Sequence, residues 1–133
     1  MKQFKYIALI LVLLIFFQAA DFVIYNSGPS QTNSKFIFGL IGTNFLAINI
    51  SFASLALLWF VLRKDKSIYL PLIVVSAATF SNIIDRILYG GVVDYFNIGI
   101  WPSFNLSDIG ILVGIFVMTF KLLLNNKLVG RNI

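Results

Sequence analysis

The chain has 133 residues, enough for one domain, and it is 59% hydrophobic with only 11% charged residues, which is too apolar for a soluble domain of ordinary composition. It contains no cysteine and no histidine, which excludes disulfides, thiol nucleophiles, Ser-His chemistry and both thiolate and imidazole metal ligands. The net charge of +5 comes from basic residues scattered along the chain rather than gathered in a stripe, so nucleic acid is not an expected partner.

Four apolar segments are predicted in chain order, at about 4–25, 44–62, 68–89 and 107–124. Each approaches the ~20 residues a helix needs to cross a bilayer, and a helix satisfies its own backbone where no water is available. A competing reading of the first segment is a cleavable leader, because Lys2 and Lys5 precede an apolar run that ends in QAAD at 18–21. The apolar character continues through Phe22–Tyr25, which favours a retained helix. Between the first two segments, NSGPSQT at 26–32 is turn-rich. Between the last two, VVDYFNI at 92–98 is β-branched and aromatic and is bracketed by Gly90-Gly91 and Gly99, which predicts a short strand or hairpin at the membrane surface. Tyr95, Trp101 and Phe104 suit an interfacial aromatic belt there. The expected architecture is therefore an all-α membrane protein of one domain spanning 1–133, with four transmembrane helices and a small extracytoplasmic β-hairpin or cradle.

Orientation follows from the basic residues. Lys2 and Lys5, then Arg63, Lys64 and Lys66, then Lys121, Lys127 and Arg131 all fall at one side of this layout. Positive residues favour the cytoplasm, so both termini and the 63–67 loop are expected inside, with the 26–43 and 90–106 loops outside.

With no glutamate present, the acidic inventory is Asp21, Asp65, Asp85, Asp94 and Asp108. Four of these five fall at the outer level of the layout, and only Asp65 lies on the inner side. Ionisable groups at membrane depth are costly and usually face a bundle interior or a polar cavity with a function. Plain structural readings exist for each. Asn82, Asp85 and Arg86 are spaced i, i+3 and i+4, so they are expected on one helix face, with Asp85 paired to Arg86 as a polar clamp. Asn82 suits interhelical glue or a substrate contact. Ser107 and Asp108 stand where N-caps belong, and Asp94 alone suits a turn. Ala77, Ala78 and Ser81 suit close helix packing.

Taken together, Asp94 and Asp108 suggest more. One sits in the surface strand and the other at a helix start, so a chain folding back across the bundle mouth brings their carboxyls together. Two carboxylates that share a site do not both ionise easily, which leaves one base and one acid near neutral pH. The base can take a proton from water that attacks a peptide carbonyl, and the acid can stabilise the oxyanion and protonate the leaving amine. The helix N-terminus favours the ionised form of Asp108 and so Asp94 as the carrier of the shared proton, but the two titrate jointly and the sequence leaves the carrier open.

The motifs SNIIDR (81–86), VVDYF (92–96) and FNLSD (104–108), in this order and spacing, resemble the bacterial lipoprotein signal peptidase (signal peptidase II) family over nearly the whole chain. The resemblance implies that Asp94 and Asp108 are the catalytic pair of an aspartic endopeptidase without a cofactor. It implies that Asn82, Asp85, Arg86 and Asn105 shape the site and that Asp21 matches a first-helix aspartate. The first-loop site residue of the family matches Asn33 in NSKFIFGL, with Phe38 as a further match, while Asn26 of NSG is the alternative. Serine stands at Ser81 and Ser107 where the family often has glycine and alanine, Lys35 stands in place of a glycine, and Tyr25 stands where the family has a lysine. The implied substrate is a diacylglyceryl-modified prolipoprotein cut just before its lipid-bearing cysteine, and globomycin-type cyclic peptides are the implied inhibitors. The implied setting is a monomer among lipid in the bacterial cytoplasmic membrane, with the site at the extracytoplasmic face. The rival classes are a proton or cation path lined by the four outer aspartates, and a small membrane scaffold.

Overall fold

The computed structural model describes residues 2–28, 30–33, 44–62, 64–100 and 102–129. Four helices dominate it: α1 (Lys2–Ser27), α2 (Asn44–Leu62), α3 (Tyr69–Leu88) and α4 (Leu106–Val129). All four are long and apolar enough to cross a membrane. The observed helices extend a few residues beyond the expected limits at both ends of α1 and at the C-terminal end of α4. A 3-10 turn over Lys66–Ile68 leads into α3, with Asp65 accepting from Ser67 N at 2.9 Å to cap it. Helix α1 runs unbroken through Gln18–Asp21.

Helix α3 is the axle of the bundle. Its small residues Ser76, Ala77, Ala78 and Ser81 are buried, as are Leu72, Ile73 and Val75. In lipid no hydrophobic force separates helix from solvent, so association relies on close packing, and small side chains let backbones approach. One core joins Ile68, Leu72 and Val75 to Met118 of α4, with Leu58, Trp59 and Leu62 of α2 packed against it. The other joins Ala77 and Ala78 to Phe17 of α1. Trp59 Nε1 donates to Ser76 Oγ at 2.9 Å, pinning α2 to the same axle.

Helix α4 contributes glycines at the tightest approach. A Cβ on Gly110 meets the Phe17 ring at 2.9 Å and Ala78 Cβ at 3.3 Å, and one on Gly114 meets Val75 Cγ2 and lies 3.1 Å from the Pro71 carbonyl oxygen. This four-residue spacing is the small-residue interface pattern of membrane helices. Pro71 itself lies in the first turn of α3, where a missing N–H costs no helical bond.

The helix order places the C-termini of α1 and α3 and the N-termini of α2 and α4 at one end of the bundle. There a two-stranded antiparallel sheet forms, β1 (Gln31–Asn33) with β2 (Val92–Asp94), in the register Gln31↔Asp94, Thr32↔Val93 and Asn33↔Val92. The 92–98 segment therefore supplies the expected short strand, and its partner strand comes from the loop after α1. Gly90 explains the abrupt start of β2. Its φ of +73° stops α3 in the left-handed region that other residues avoid, and the chain reverses there. Beyond β2, Phe96 and Phe104 form an isolated antiparallel bridge, which brings the chain back to the start of α4. Tyr95 does not join an interfacial belt, because its hydroxyl is turned into the bundle; Trp101 and Phe38 lie outside the described residues.

Candidate active site

The sheet and the helix ends together frame a groove of about 820 Å³ between α2, α3 and α4. At the sheet end it is lined by Asn33, Asn82, Arg86, Asp94 and Asp108. Toward the other end its walls are Leu55, Leu58, Leu62, Val75, Met118 and Leu122. Among the described residues, Asp94, Asp108 and Arg86 are the titratable side chains that line it.

Asp108 is held at both carboxylate oxygens. Asn82 Nδ2 donates to its Oδ1 at 3.0 Å, and the Asn105 backbone N–H donates to its Oδ2 at 3.1 Å. In return, the Asp108 N–H donates to Asn105 Oδ1 at 2.8 Å. This reciprocal pair is a capping box: Asn105 is the N-cap of α4 and Asp108 stands three residues in, so Ser107 and Asp108 are not the caps. The expected cap positions fall short because the helix starts one residue earlier, at Leu106, and the side chain best placed to accept from its free N–H groups is Asn105. Asn105 Nδ2 also donates to Asn82 Oδ1 at 2.9 Å, closing a ring of three residues from two helices. The Ser107 hydroxyl is buried and has no hydrogen-bond partner among the described residues.

Asp94 reaches the groove from the end of β2 and is 3% exposed. Asn33 Nδ2 donates to its Oδ2 at 3.2 Å, whereas Asn26 donates to the Phe22 carbonyl within α1. Burial, reinforced by the neighbouring Asp108 charge, pushes the Asp94 carboxyl up to about 7, against the downward pull of the Asn33 hydrogen bond and the Arg86 charge.

The face of α3 divides differently from the expectation. Asn82 and Arg86, four residues apart, line the groove. Ser81 and Asp85, also four apart, face α1 instead. Gln18 Nε2 donates to the Ser81 hydroxyl and to Asp85 Oδ1, each at 2.9 Å, and the Val93 N–H donates to Asp85 Oδ2 at 3.1 Å. Asp85 thus directs both carboxylate oxygens toward α1 and β2, while the Arg86 charge still bears on it. Consecutive helical residues project about 100° apart and do not face each other. Arg86 Nη1 donates to Asn44 Oδ1 at 3.1 Å, and Asn44 in turn donates to the Gly90 carbonyl, so α2 starts against the end of α3.

Asp21 and Asp85 do not line the groove. Both are fully buried behind it, between α1, α3 and the 93–95 segment. Ser81 Oγ donates to Asp21 Oδ2 at 3.2 Å and the Tyr95 hydroxyl donates to Asp21 Oδ1 at 3.1 Å. Gln18 and Asn44 are polar residues of this framework that the sequence did not single out, and Tyr95 read only as an interfacial aromatic. Asn44 begins an apolar run as any capping residue does, and Gln18 is an isolated polar residue between Phe17 and Ala19; only a polar side chain at membrane depth signalled it.

Four membrane-length helices, with a polar groove mouth that holds the buried Asp94 and the half-buried Asp108, define a multi-pass membrane protein with an acidic site at one end of the bundle. The chain belongs to the signal peptidase II family: the family model described as Signal peptidase (SPase) II matches residues 18–124. The lipoprotein signal peptidase of Moorella thermoacetica is 40% identical over 55 residues, which are 41% of this chain and 37% of that protein. The lipoprotein signal peptidase of Paraburkholderia phymatum is 30% identical over 105 residues, 74% of this chain and 62% of that protein. The chain thus spans less than two thirds of the length of these curated relatives. A bacterial membrane enzyme solved by the in meso method at 2.3 Å resolution shares the fold, with a TM-score of 0.78 over 92% of this chain and 89% of that one at 22% identity.

Proposed function

We propose that this chain is an intramembrane aspartic endopeptidase of lipoprotein maturation, acting as a single membrane-embedded unit over 1–133. Its substrate is a prolipoprotein that already carries diacylglycerol on the cysteine after its signal peptide, and it cuts the bond just before that cysteine. The observation that carries this reading is the joint exposure of Asp94 and Asp108 to one groove, with both oxygens of Asp108 fixed from α3 and from the α4 cap.

In this reading Asp108 is the ionised base and Asp94 the proton-bearing acid. Two donors, Asn82 Nδ2 and the Asn105 N–H, favour the charge on Asp108 and hold its carboxylate at the groove. Asp94, with its carboxyl raised to about 7, retains its proton in a large share of molecules at neutral pH, where an ordinary carboxyl has lost it. Asp108 removes a proton from a water molecule, and the water oxygen adds to the scissile carbonyl carbon. The carbonyl oxygen gains the electron pair and is stabilised by the Asp94 hydroxyl. Collapse of the tetrahedral intermediate breaks the C–N bond, and the amine leaves with a proton from the acid side of the pair. Two positioned carboxyls of this kind contribute ~10²- to 10⁴-fold each through proton transfer.

The groove suits a substrate that arrives sideways through lipid. Below the carboxyls its walls are largely aliphatic, interrupted by the hydroxyls of Ser51, Ser54, Thr79 and Thr119, and carry no titratable side chain among the described residues. A signal-peptide helix laid there places its end beside Asp94 and Asp108. The basic residues Lys5, Lys64, Lys66 and Lys121 lie at the opposite end, which supports a reading with that end in the cytoplasm and the site at the extracytoplasmic face of a bacterial cytoplasmic membrane. Globomycin-type peptides, as substrate mimics, are the inhibitors this reading implies.

The test is cleavage by the purified chain in lipid bilayers. A precursor carrying the diacylglyceryl group should lose its signal peptide and begin with the modified cysteine, while the same precursor without lipid should remain intact. Cleavage of neither, or cleavage at another bond, contradicts the proposal.

A further inference from the structure

We propose that Tyr95 is a positioning residue, which sets the placement of Asp94 relative to Asp108 by tying the strand that bears one and the helix that bears the other to Asp21 of α1. The inference rests on the reading of Asp94 and Asp108 as the working pair.

The geometry is a three-way junction at one phenolic oxygen. The Tyr95 hydroxyl donates to Asp21 Oδ1 at 3.1 Å and accepts from the Leu106 backbone N–H, also at 3.1 Å. Leu106 is the first residue of α4, immediately after the Asn105 cap and two before Asp108. Its N–H is one of the amides that a helix start leaves without an internal partner. Tyr95 immediately follows Asp94. Side chains of consecutive extended residues point to opposite sides, so Asp94 enters the groove while Tyr95 reaches behind it. The backbone of the same residue is bound as well, with Tyr95 N–H donating to the Phe104 carbonyl at 3.2 Å.

Asp21 makes the junction directional. Its carboxylate is fully buried and takes the hydroxyl proton at Oδ1 while Ser81 Oγ donates to Oδ2. With its proton committed to Asp21, the phenol presents its lone pairs to Leu106. One buried group on α1 thereby orients a bond that joins the two elements carrying the acid and the base. The charged groups that bear on Asp94 are Asp108 of α4 and Arg86 and Asp85 of α3, so a change in the strand-to-helix spacing registers in the titration of Asp94.

The experiment compares the wild type with Tyr95→Phe, Asp21→Ala and Asp21→Asn in bilayers. Two readouts are taken: cleavage kinetics on the lipid-modified precursor and the titration of Asp94 followed by carboxyl ¹³C resonance. Tyr95→Phe keeps the ring and removes both hydroxyl bonds. It should lower kcat roughly tenfold with KM within about twofold, as a misplaced reacting group does. It should also move the Asp94 midpoint by about half a unit or more. Asp21→Ala should reproduce both effects, and Asp21→Asn, which keeps an oxygen to accept from Tyr95, should restore them toward wild type. A merely structural tyrosine predicts otherwise. Tyr95→Phe would then lower the thermal midpoint yet leave kcat and the Asp94 titration unchanged, and that result overturns the proposal. Should the wild type fail to cleave, the peptidase reading falls, while the titration comparison still decides whether Tyr95 positions Asp94.

Discussion

Asn82 donates to Asp108 Oδ1 at 3.0 Å from one helix to the next, while its own Oδ1 accepts from Asn105 at 2.9 Å. A single amide on α3 therefore orients the carboxylate of α4 and the side chain that caps it. Substituting Asn82 by Ala removes a donor from Asp108 and an acceptor from Asn105 together. Cleavage should fall on the order of 100-fold, the cost of a reacting group set loose by about an ångström. Comparing turnover of Asn82→Ala and Asn82→Asp with wild type checks this; unchanged turnover in both shows that the bridge does not orient the base.

The pH dependence follows from Asp94. Its folded value near 7 lies above the ordinary 3.8, so the proton that the acid needs is held at low pH and lost as pH rises through about 7. Turnover should decline on the alkaline side of that value, by about tenfold per unit once deprotonation dominates. The same shift has a stability consequence. A carboxyl raised on folding contributes most below its unfolded value, and that contribution is lost as pH rises through the folded one. The thermal midpoint of Asp94→Asn should accordingly gain on wild type between pH 5 and about pH 8. A flat turnover profile up to pH 9 counts against the assignment.

Asp85 is expected to matter for the fold rather than for the groove. It accepts from Gln18 and from the buried Val93 N–H, which fixes the start of β2 to α3. Asp85→Ala strands that amide, at a cost of ~1–3 kcal/mol. The readout is the thermal midpoint of purified protein, and an unaltered midpoint refutes the role given to Asp85.

The two glycines of α4 offer a graded packing test. A methyl on Gly114 meets Val75 and the fixed Pro71 carbonyl, whereas one on Gly110 meets mainly the rim of the Phe17 ring, which can turn aside. Gly114→Ala should destabilise by ~1–3 kcal/mol, and Gly110→Ala by less. The reverse order in thermal melts contradicts the packing described.

The membrane layout was legible from the chain because apolar length is a direct physical requirement. The motifs around Asp94, Asn82 and Asp108 pointed to the groove mouth. What the sequence concealed was angular and long-range. Spacing placed Asn82, Asp85 and Arg86 within one broad arc of α3, yet the boundary between groove and α1 runs through that arc and sends Asp85 to Gln18. The partner of β2 could not be read because it lies about sixty residues earlier, in a three-residue strand without a hydrophobic pattern. The cap of α4 was misplaced by a few residues, since Asn105, Ser107 and Asp108 are all capping types and only coordinates distinguish them. Gly110 and Gly114 read as breakers in a soluble context and as contact points only once α3 is known to lie against them.

The most direct measurement is cleavage of a diacylglyceryl-modified precursor by Asp94→Asn and Asp108→Asn, each shown by its thermal midpoint to be folded in bilayers. Both variants should lose at least ~10²-fold in turnover and still bind the precursor. Full activity in either one, with the protein folded, contradicts a shared acid and base at this groove.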